Sequence, residues 1–240
     1  MDISSLAFFT AVFFGYLMNA ITGFAGNVFI MPVGFQTIGI QQSIAALNVT
    51  GLCSCGLVAI LAFKHIVWKE LAKMTAVMFV FMLGGMWINT VVSIDILQII
   101  FALFVLGVGL KNLLSKPDES KAVPEFLLWA VLIVAGLIQG MFVSGGAMAI
   151  VYAVNKIKDK DALRGTMSMM WVFLNSAYTI LLAVNGTFTA EIIGITLASI
   201  PILVVATFIG NLIVKRIKQE SFLKLTYVLL VVIGVFMIVF

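Results

Sequence analysis

Polar and charged positions along the chain separate eight apolar stretches, at about 5–34, 43–63, 74–92, 96–113, 126–154, 165–184, 192–214 and 222–240. Roughly twenty apolar residues suffice to cross a bilayer as a helix, so each stretch is predicted to be membrane-embedded and helical. The first and fifth are the longest, and both carry small residues at mid-length. In the first these are Gly23-Phe24-Ala25-Gly26-Asn27; in the fifth, Ser144-Gly145-Gly146-Ala147. A helix interrupted at bilayer depth exposes backbone groups that cost several kcal/mol each if left unpaired. Such interruptions call for a reason.

Composition sets the class. Of 240 residues 63% are hydrophobic and 10% charged, and mean hydropathy is +1.22; soluble domains carry about 25% charged residues. The N-terminus, Met-Asp-Ile-Ser-Ser, lacks the basic region of a cleaved signal peptide and is read as part of the mature chain. The placement of charge matters more than its sum of +4. The 14 Lys and Arg fall in four windows, three in 64–73, three in 111–121, four in 156–164 and four in 215–224. The turns near 35–43, 92–95 and 185–191 hold none. This is the asymmetry of cytoplasmic loops, not a surface for nucleic acid.

Simple alternation across the membrane then fails twice. The fifth stretch has basic loops at both ends, and the first has uncharged ones at both ends. If each of these two enters the membrane, breaks and leaves on its side of entry, the sidedness is restored. The predicted fold is all-α and polytopic, with two inverted repeats, each a broken or re-entrant helical hairpin plus three transmembrane helices. The first repeat covers 1–115, with hairpin 5–38 and spans 43–63, 74–92 and 96–113. A cytoplasmic linker follows at 116–125. The second repeat covers 126–240, with hairpin 126–155 and spans 165–184, 192–214 and 222–240. Both termini come out extracytoplasmic. Ordered matches between the halves support the division: Asn19, Ala25 and Gly26 fall on Gln139, Gly145 and Gly146 at an offset of 120, and Glu70 on Glu191 at 121. Gly85, Asp95 and Gly109 fall on Gly210, Glu220 and Gly234 at 125.

Inverted repeats with a discontinuous helix in each half are a transporter plan, with the site where the breaks meet near the midplane. The first N–H groups of a restarting helix lack intrahelical partners and carry the positive end of its dipole. Asn27 and Ser144 are good N-cap types. The predicted site for a small anion therefore comprises Asn19, Gly23, Gly26, Asn27, Gln139, Ser144, Gly145 and Gly146, with Asn19 and Gln139 adding amide donors one turn before each break. Asn48, Thr50, Thr166, Ser168 and Asn175 line the following spans as secondary candidates. Arg164 either attracts and releases anions or, more commonly for such a residue, anchors its helix at the headgroups. The competing reading of the small residues is close packing: Gly15, Asn19 and Gly23, and Gly136, Gly140 and Ser144, have small-xxx-small spacing.

Absences narrow the function. No Asp, Glu, Lys or Arg falls mid-span, where proton relays and cation pathways are usually marked. His65 lies in a basic loop, away from the depth of Ser144, so neither a metal site nor a serine nucleophile with its base is assembled. Cys53 and Cys55 fall on nearly opposite faces of one helix and cannot pair with each other. No enzyme, metal or cofactor is implied; the partners are the bilayer and a small anion, and a homodimer is compatible with the sequence.

"GFAGNVFIMP" and "GMFVSGGAMAIVY" resemble the GxGGGxxxxP element that opens each half of the TauE/SafE family, sulfite and organosulfonate exporters and related anion permeases. The resemblance covers essentially the whole chain. It departs at Ala25 and Asn27 in the first copy, at Val143, Ser144 and Ala147 in the second, and at Tyr152, where proline is usual. It implies an inner-membrane permease for a small sulfur-containing or carboxylate anion, working by alternating access. A passive anion channel and a membrane scaffold subunit without transport activity are the alternatives.

Overall fold

The apolar stretches fold as helices, and in this computed structural model residues 3–88 and 123–239 are described, with 103, 106, 107, 110 and 113 between them. The described helices are α1 (Ile3–Thr22), α2 (Gly26–Thr37), α3 (Ile40–Leu61), α4 (Trp68–Ile88), α5 (Glu125–Phe142), α6 (Gly146–Lys156), α7 (Lys160–Val184), α8 (Ala190–Val214) and α9 (Gln219–Val239), with a 3₁₀ turn at Phe63–His65. Among the described residues there is no strand. Six helices (α1, α3, α4, α5, α7 and α8) are long and apolar enough to span a bilayer. Many large apolar side chains point outward, among them Ile60, Trp87, Phe126, Val184 and Phe208. In water such a surface would be prohibitive; in lipid it is the ordinary outer face. The chain is an all-helical, multi-pass membrane protein.

The two short helices, α2 and α6, each follow a three-residue interruption, at 23–25 and 143–145. Most of the predicted span 96–113 and most of the linker 116–125 lie outside the described residues. Several helices begin before their predicted apolar stretch: α4 at Trp68 rather than 74, α7 at Lys160 rather than 165, and α9 at Gln219 rather than 222. Their first turns carry Glu70, Asp161 and Glu220. Acidic groups complement the positive helix start, so helix formation outruns the hydrophobic signal by about a turn.

Packing pairs long helices. α4 lies along α5, α1 along α8, and α3 along α7. The α4–α5 seam is made by small residues: a Cβ at Gly85 would collide with Leu137 O, and one at Gly140 with Met82 O. Gly136 and Gly140 thus have the packing role their spacing allows, outside the break itself. The core runs through the middle of the bundle and includes Phe8, Tyr16, Met74, Met78, Met82, Leu132, Leu163 and Tyr152, all essentially unexposed. Against it, α6 is tied to α4 by one polar contact, Tyr152 Oη donating to Glu70 Oε2 at 2.9 Å; within α4, Lys73 Nζ meets Glu70 Oε1 at 2.8 Å.

Candidate functional site

The first break is made by glycine. The Gly23 N–H still bonds Asn19 O at 2.7 Å, but the residue sits at φ +83 and turns the chain out of α1. Ala25 then occupies the position before α2, in αR conformation and with no side-chain cap. The first backbone bond of α2 runs from Phe29 N–H to Ala25 O, at 3.3 Å. The N–H groups of Gly26, Asn27 and Val28 therefore have no intrahelical partner.

The second break is built differently. Val143 takes the left-handed region, φ 53, the one non-glycine among the described residues to do so. Its N–H bonds Gln139 O at 3.0 Å. Gly145 precedes α6, and its N–H is taken by Gln139 Oε1 at 3.1 Å. Gly145 O then receives both Met148 N–H and Ala149 N–H, at 3.2 and 3.0 Å. That leaves Gly146 and Ala147 as the open donors. Neither Asn27 nor Ser144 caps its helix, as their residue types predict. The turn at Gly23 or Val143 places the helix start so that Ala25 and Gly145 fall at the cap position, where neither offers a side-chain acceptor.

The two breaks touch. A Cβ at Gly146 would lie 2.6 Å from Phe24 O, and Asn27 Nδ2 donates to Val143 O at 3.4 Å. Between them lies a pocket walled from the first half by Tyr16, Asn19, Phe24, Asn27, Val28, Gly51 and Cys55. Gln139, Val143, Ser144, Gly146, Trp171 and Asn175 close it from the second half. No ionisable carboxylate or cationic side chain lines it. The volume open to the centre of a water-sized sphere is about 20 Å³, room for one or two waters. This is a contracted pocket.

The side chains singled out in the sequence are brought together in part. Asn19, Asn27, Gln139, Ser144, Gly146 and Asn175 line the pocket, whereas Gly23, Gly26, Gly145, Asn48, Thr50, Arg164, Thr166 and Ser168 stand outside its wall. Their amides brace the walls. Asn19 Nδ2 donates to Ser54 Oγ (3.2 Å) and Cys55 Sγ (3.4 Å). Gln139 Nε2 donates to Asn175 Oδ1 at 3.0 Å. Asn27 Nδ2 also reaches Leu47 O at 3.2 Å, and Tyr16 Oη donates to Asn27 Oδ1 at 3.2 Å. Farther out, Asn48 joins α3 to α7 through Asn175 O and Thr179 Oγ1. Thr50 is held by Tyr16 and Ala46 O. Thr166 accepts Val67 N–H at 2.9 Å.

Three wall residues carry chemistry that the sequence reading passed over. Tyr16 organises Asn27 and Thr50; Gly51 admits the amides of Asn27 and Asn175, which a Cβ there would meet at 2.9 and 3.3 Å. Trp171 is buried with Nε1 unpartnered. The available signal was spacing, since Arg164, Ser168, Trp171 and Asn175 recur at helical intervals and share one face.

Comparison with known proteins agrees with this architecture. A family model described as "Sulfite exporter TauE/SafE" matches residues 7–237. The chain is 22% identical, over 175 residues, to the "Probable inner membrane transporter protein TsaS" of Comamonas testosteroni, covering 72% of this chain and 73% of that protein. No solved structure matches the chain. With nearly its whole length matched by that model, the chain belongs to the TauE/SafE family.

Proposed function

We propose that this membrane transporter moves a small anion, a sulfite or organosulfonate or a related sulfur-containing or carboxylate anion, across the inner membrane by alternating access. The anion is held between the two breaks by the open N–H groups of Asn27 and Val28 on one side and of Gly146 on the other, with Trp171 Nε1 as a further donor. The open N–H groups of Gly26 and Ala147, outside the pocket wall, add to the positive ends of the two helices. Gly23 and Gly145 shape the approach, while Asn19, Gln139 and Ser144 hold the walls. The observation that carries this reading is two helix starts, each with unpaired donors, meeting at one pocket that has no cationic side chain of its own. Helix starts attract anions through aligned peptide dipoles, and neutral donors bind an anion without trapping it as a fixed opposite charge would.

The exchange of packing partners, α1 on α8 and α5 on α4 with α3 on α7, supports two related halves that can rock about the pocket. In the orientation set by the basic windows, both termini are extracytoplasmic. The small volume of the pocket supports a gated carrier over a permanently open channel. Flux of labelled sulfite, methanesulfonate and acetate into proteoliposomes tests the proposal. Saturable uptake with counterflow is expected. Flux that rises without saturation and shows no counterflow identifies a channel, and flux of none of the three anions removes the reading.

A further inference from the structure

The basic windows place Arg164 among loop residues, where a long cationic side chain normally runs to the headgroups. Its actual position is different. Arg164 is 3% exposed, and among the described residues it is the one buried Lys or Arg. Its guanidinium makes a single hydrogen bond, from Nη2 to Asn211 Oδ1 at 2.6 Å. Asp161 Oδ1 lies 3.9 Å from Nη1, beyond hydrogen-bond reach, and Nε has no partner. A guanidinium offers five N–H donors, and a charge withdrawn from water is ordinarily surrounded by acceptors. Here most of the acceptors are missing.

Arg164 is also the end of a row. Arg164, Ser168, Trp171 and Asn175 follow one another on α7 at intervals of four, three and four residues, which puts them on a single face; all four are buried. The row starts at the pocket wall, with Asn175 and Trp171. The next two members, Ser168 Oγ and Arg164 Nε, are unpartnered buried atoms, as is Trp171 Nε1. At 1.5 Å per residue, Arg164 lies about 10 Å along α7 from Trp171. A second polar line runs beside it: Asn19 on the pocket wall bonds Ser54, Ser54 meets Thr207 Oγ1 at 3.2 Å, and Asn211, one turn beyond Thr207 on α8, holds Arg164. Two polar lines thus lead from the pocket to one under-satisfied cation.

We propose that Arg164 is a second anion site, a station between the pocket and the basic side of the membrane, where an oxyanion supplies the acceptors that the guanidinium lacks. The inference rests on the reading of the pocket as an anion site. An anion leaving the pocket passes along Ser168 to Arg164, which Asn211 holds in place. Oxyanions such as sulfonate and carboxylate suit this site because their coplanar or clustered oxygens match the planar donors of arginine.

The experiment uses the full chain in proteoliposomes, with methanesulfonate and acetate as probes. Arg164→Gln is expected to raise the half-saturating concentration about tenfold or more, the loss of one charge-assisted contact. Arg164→Lys, which keeps the charge and loses the planar fork, is expected to fall between the two. Arg216→Gln, an exposed cation in another basic window, is expected to match the wild type and so exclude a general effect of charge. A folded Arg164→Gln protein with wild-type half-saturation overturns the site. If that variant does not fold, Arg164→Lys decides by the same measurement, wild-type half-saturation again overturning the site. If the wild type moves neither probe, the pocket reading fails separately. The Arg164 site is then judged by thermal protection: protection by methanesulfonate that Arg164→Lys weakens sustains it, and the absence of protection overturns it.

Discussion

The two breaks occupy equivalent places in the chain and are held open by opposite means. In the first, glycine adopts the left-handed turn without strain, and the bend packs backbone to backbone: a Cβ at Gly23 would lie 2.9 Å from Arg164 O. In the second, a β-branched valine adopts the same region, a conformation that costs about 1–2 kcal/mol for an ordinary L-residue. What holds it there is Gln139, whose side chain links the Gly145 N–H to Asn175 on α7. The half-helices differ in the same sense. α2 contains Pro32 and is joined to α1 and α3 through the neutral amide of Asn27, to Tyr16 and Leu47 O, whereas α6 is joined through Tyr152 to the charged Glu70 of α4. The turn of the first break is unstrained, and the strained turn of the second is latched by Gln139. In the rocking carrier proposed above, this contrast would make the first hairpin the mobile wall and the second the fixed one.

The largest effect is expected at the contact between the breaks. Gly146→Val places a branched side chain against Phe24 O, which is backbone and cannot rotate away. Gly26→Val meets the side chains of Asn19 and Tyr16 at 2.9 and 3.2 Å, which can shift. Valine keeps its backbone N–H but forces the helix start to shift. With one displaced donor to an anion worth about 1.5–3 kcal/mol, affinity for the transported anion should fall about a hundredfold in Gly146→Val and nearer tenfold in Gly26→Val. Gly56→Ala, with nothing within 4 Å of the added carbon, is the control expected to leave flux unchanged. Equal losses at Gly26 and Gly146 would end the distinction between the two breaks, and wild-type binding in both would leave them as packing kinks.

Next comes the latch. Gln139→Leu strips partners from the Gly145 N–H and from Asn175 Oδ1, and each buried group left unpaired costs about 1–3 kcal/mol. Asn19→Leu is milder, because Ser54 keeps its contact with Thr207 and a thiol gives up little as an acceptor. Thermal unfolding in detergent should show the Gln139 variant as clearly the less stable. If the Asn19 variant is the weaker one, the first break is the braced one and the roles are reversed.

These contrasts explain what was legible in the sequence. The breaks at Gly23–Asn27 and Ser144–Ala147 could be found because two independent signals, small residues at depth and charge sidedness, failed together at the same segments. The helix starts could not, because Trp68, Lys160 and Gln219 open amphipathic first turns that hydropathy assigns to loops. The caps were missed because the cap position depends on which residue takes the left-handed turn, and nothing in the residue type marks Val143 for it. The amides at positions 19 and 139 were recognised as paired, but their partners, Ser54, Cys55 and Asn175, come from other helices. Trp171 carries no signal in the sequence beyond its spacing from Arg164 and Asn175, which places it on their face of α7. For Arg164 the sequence leaves two readings, an anion contact and the commoner headgroup anchor, and its burial against Asn211 separates them.

A smaller effect tests whether the second break is strained. Val143→Gly removes the cost of the left-handed valine, about 1–2 kcal/mol, and adds the backbone entropy of glycine, about 0.5–1 kcal/mol. These two terms leave a gain of between about 0 and 1.5 kcal/mol in thermal stability before the packing of the side chain is counted. Gly23→Ala, the converse change in the first break, should lose stability, since its added carbon meets both an unfavourable φ and the Arg164 backbone. A Val143→Gly protein less stable than the wild type would mean that the valine side chain, 2% exposed in the core, contributes more by packing than its conformation costs.

The smallest effect concerns the tie on α6. At the offset of 120 that aligns the breaks, Tyr152 falls on Pro32, so a residue that removes a backbone donor in one half-helix is matched by one that adds a side-chain donor in the other. Tyr152→Phe removes only the hydroxyl that bonds Glu70. A hydrogen bond to a charged group is worth about 1.5–3 kcal/mol when both partners are fully buried. Glu70 keeps Lys73 and retains 13% exposure of its side chain, so water and the lysine recover most of it. The expected loss is below about 1 kcal/mol, with Trp129 still packed on the ring. Its consequence for motion should exceed its consequence for stability. If α6 is the fixed wall, loosening this tie lets both walls move, and hydrogen exchange of the backbone in 146–156 should rise toward that of 26–37. An exchange rate in 146–156 that already equals that of 26–37 in the wild type would show that the two half-helices are held alike, and that the latch at Gln139 acts only on the turn.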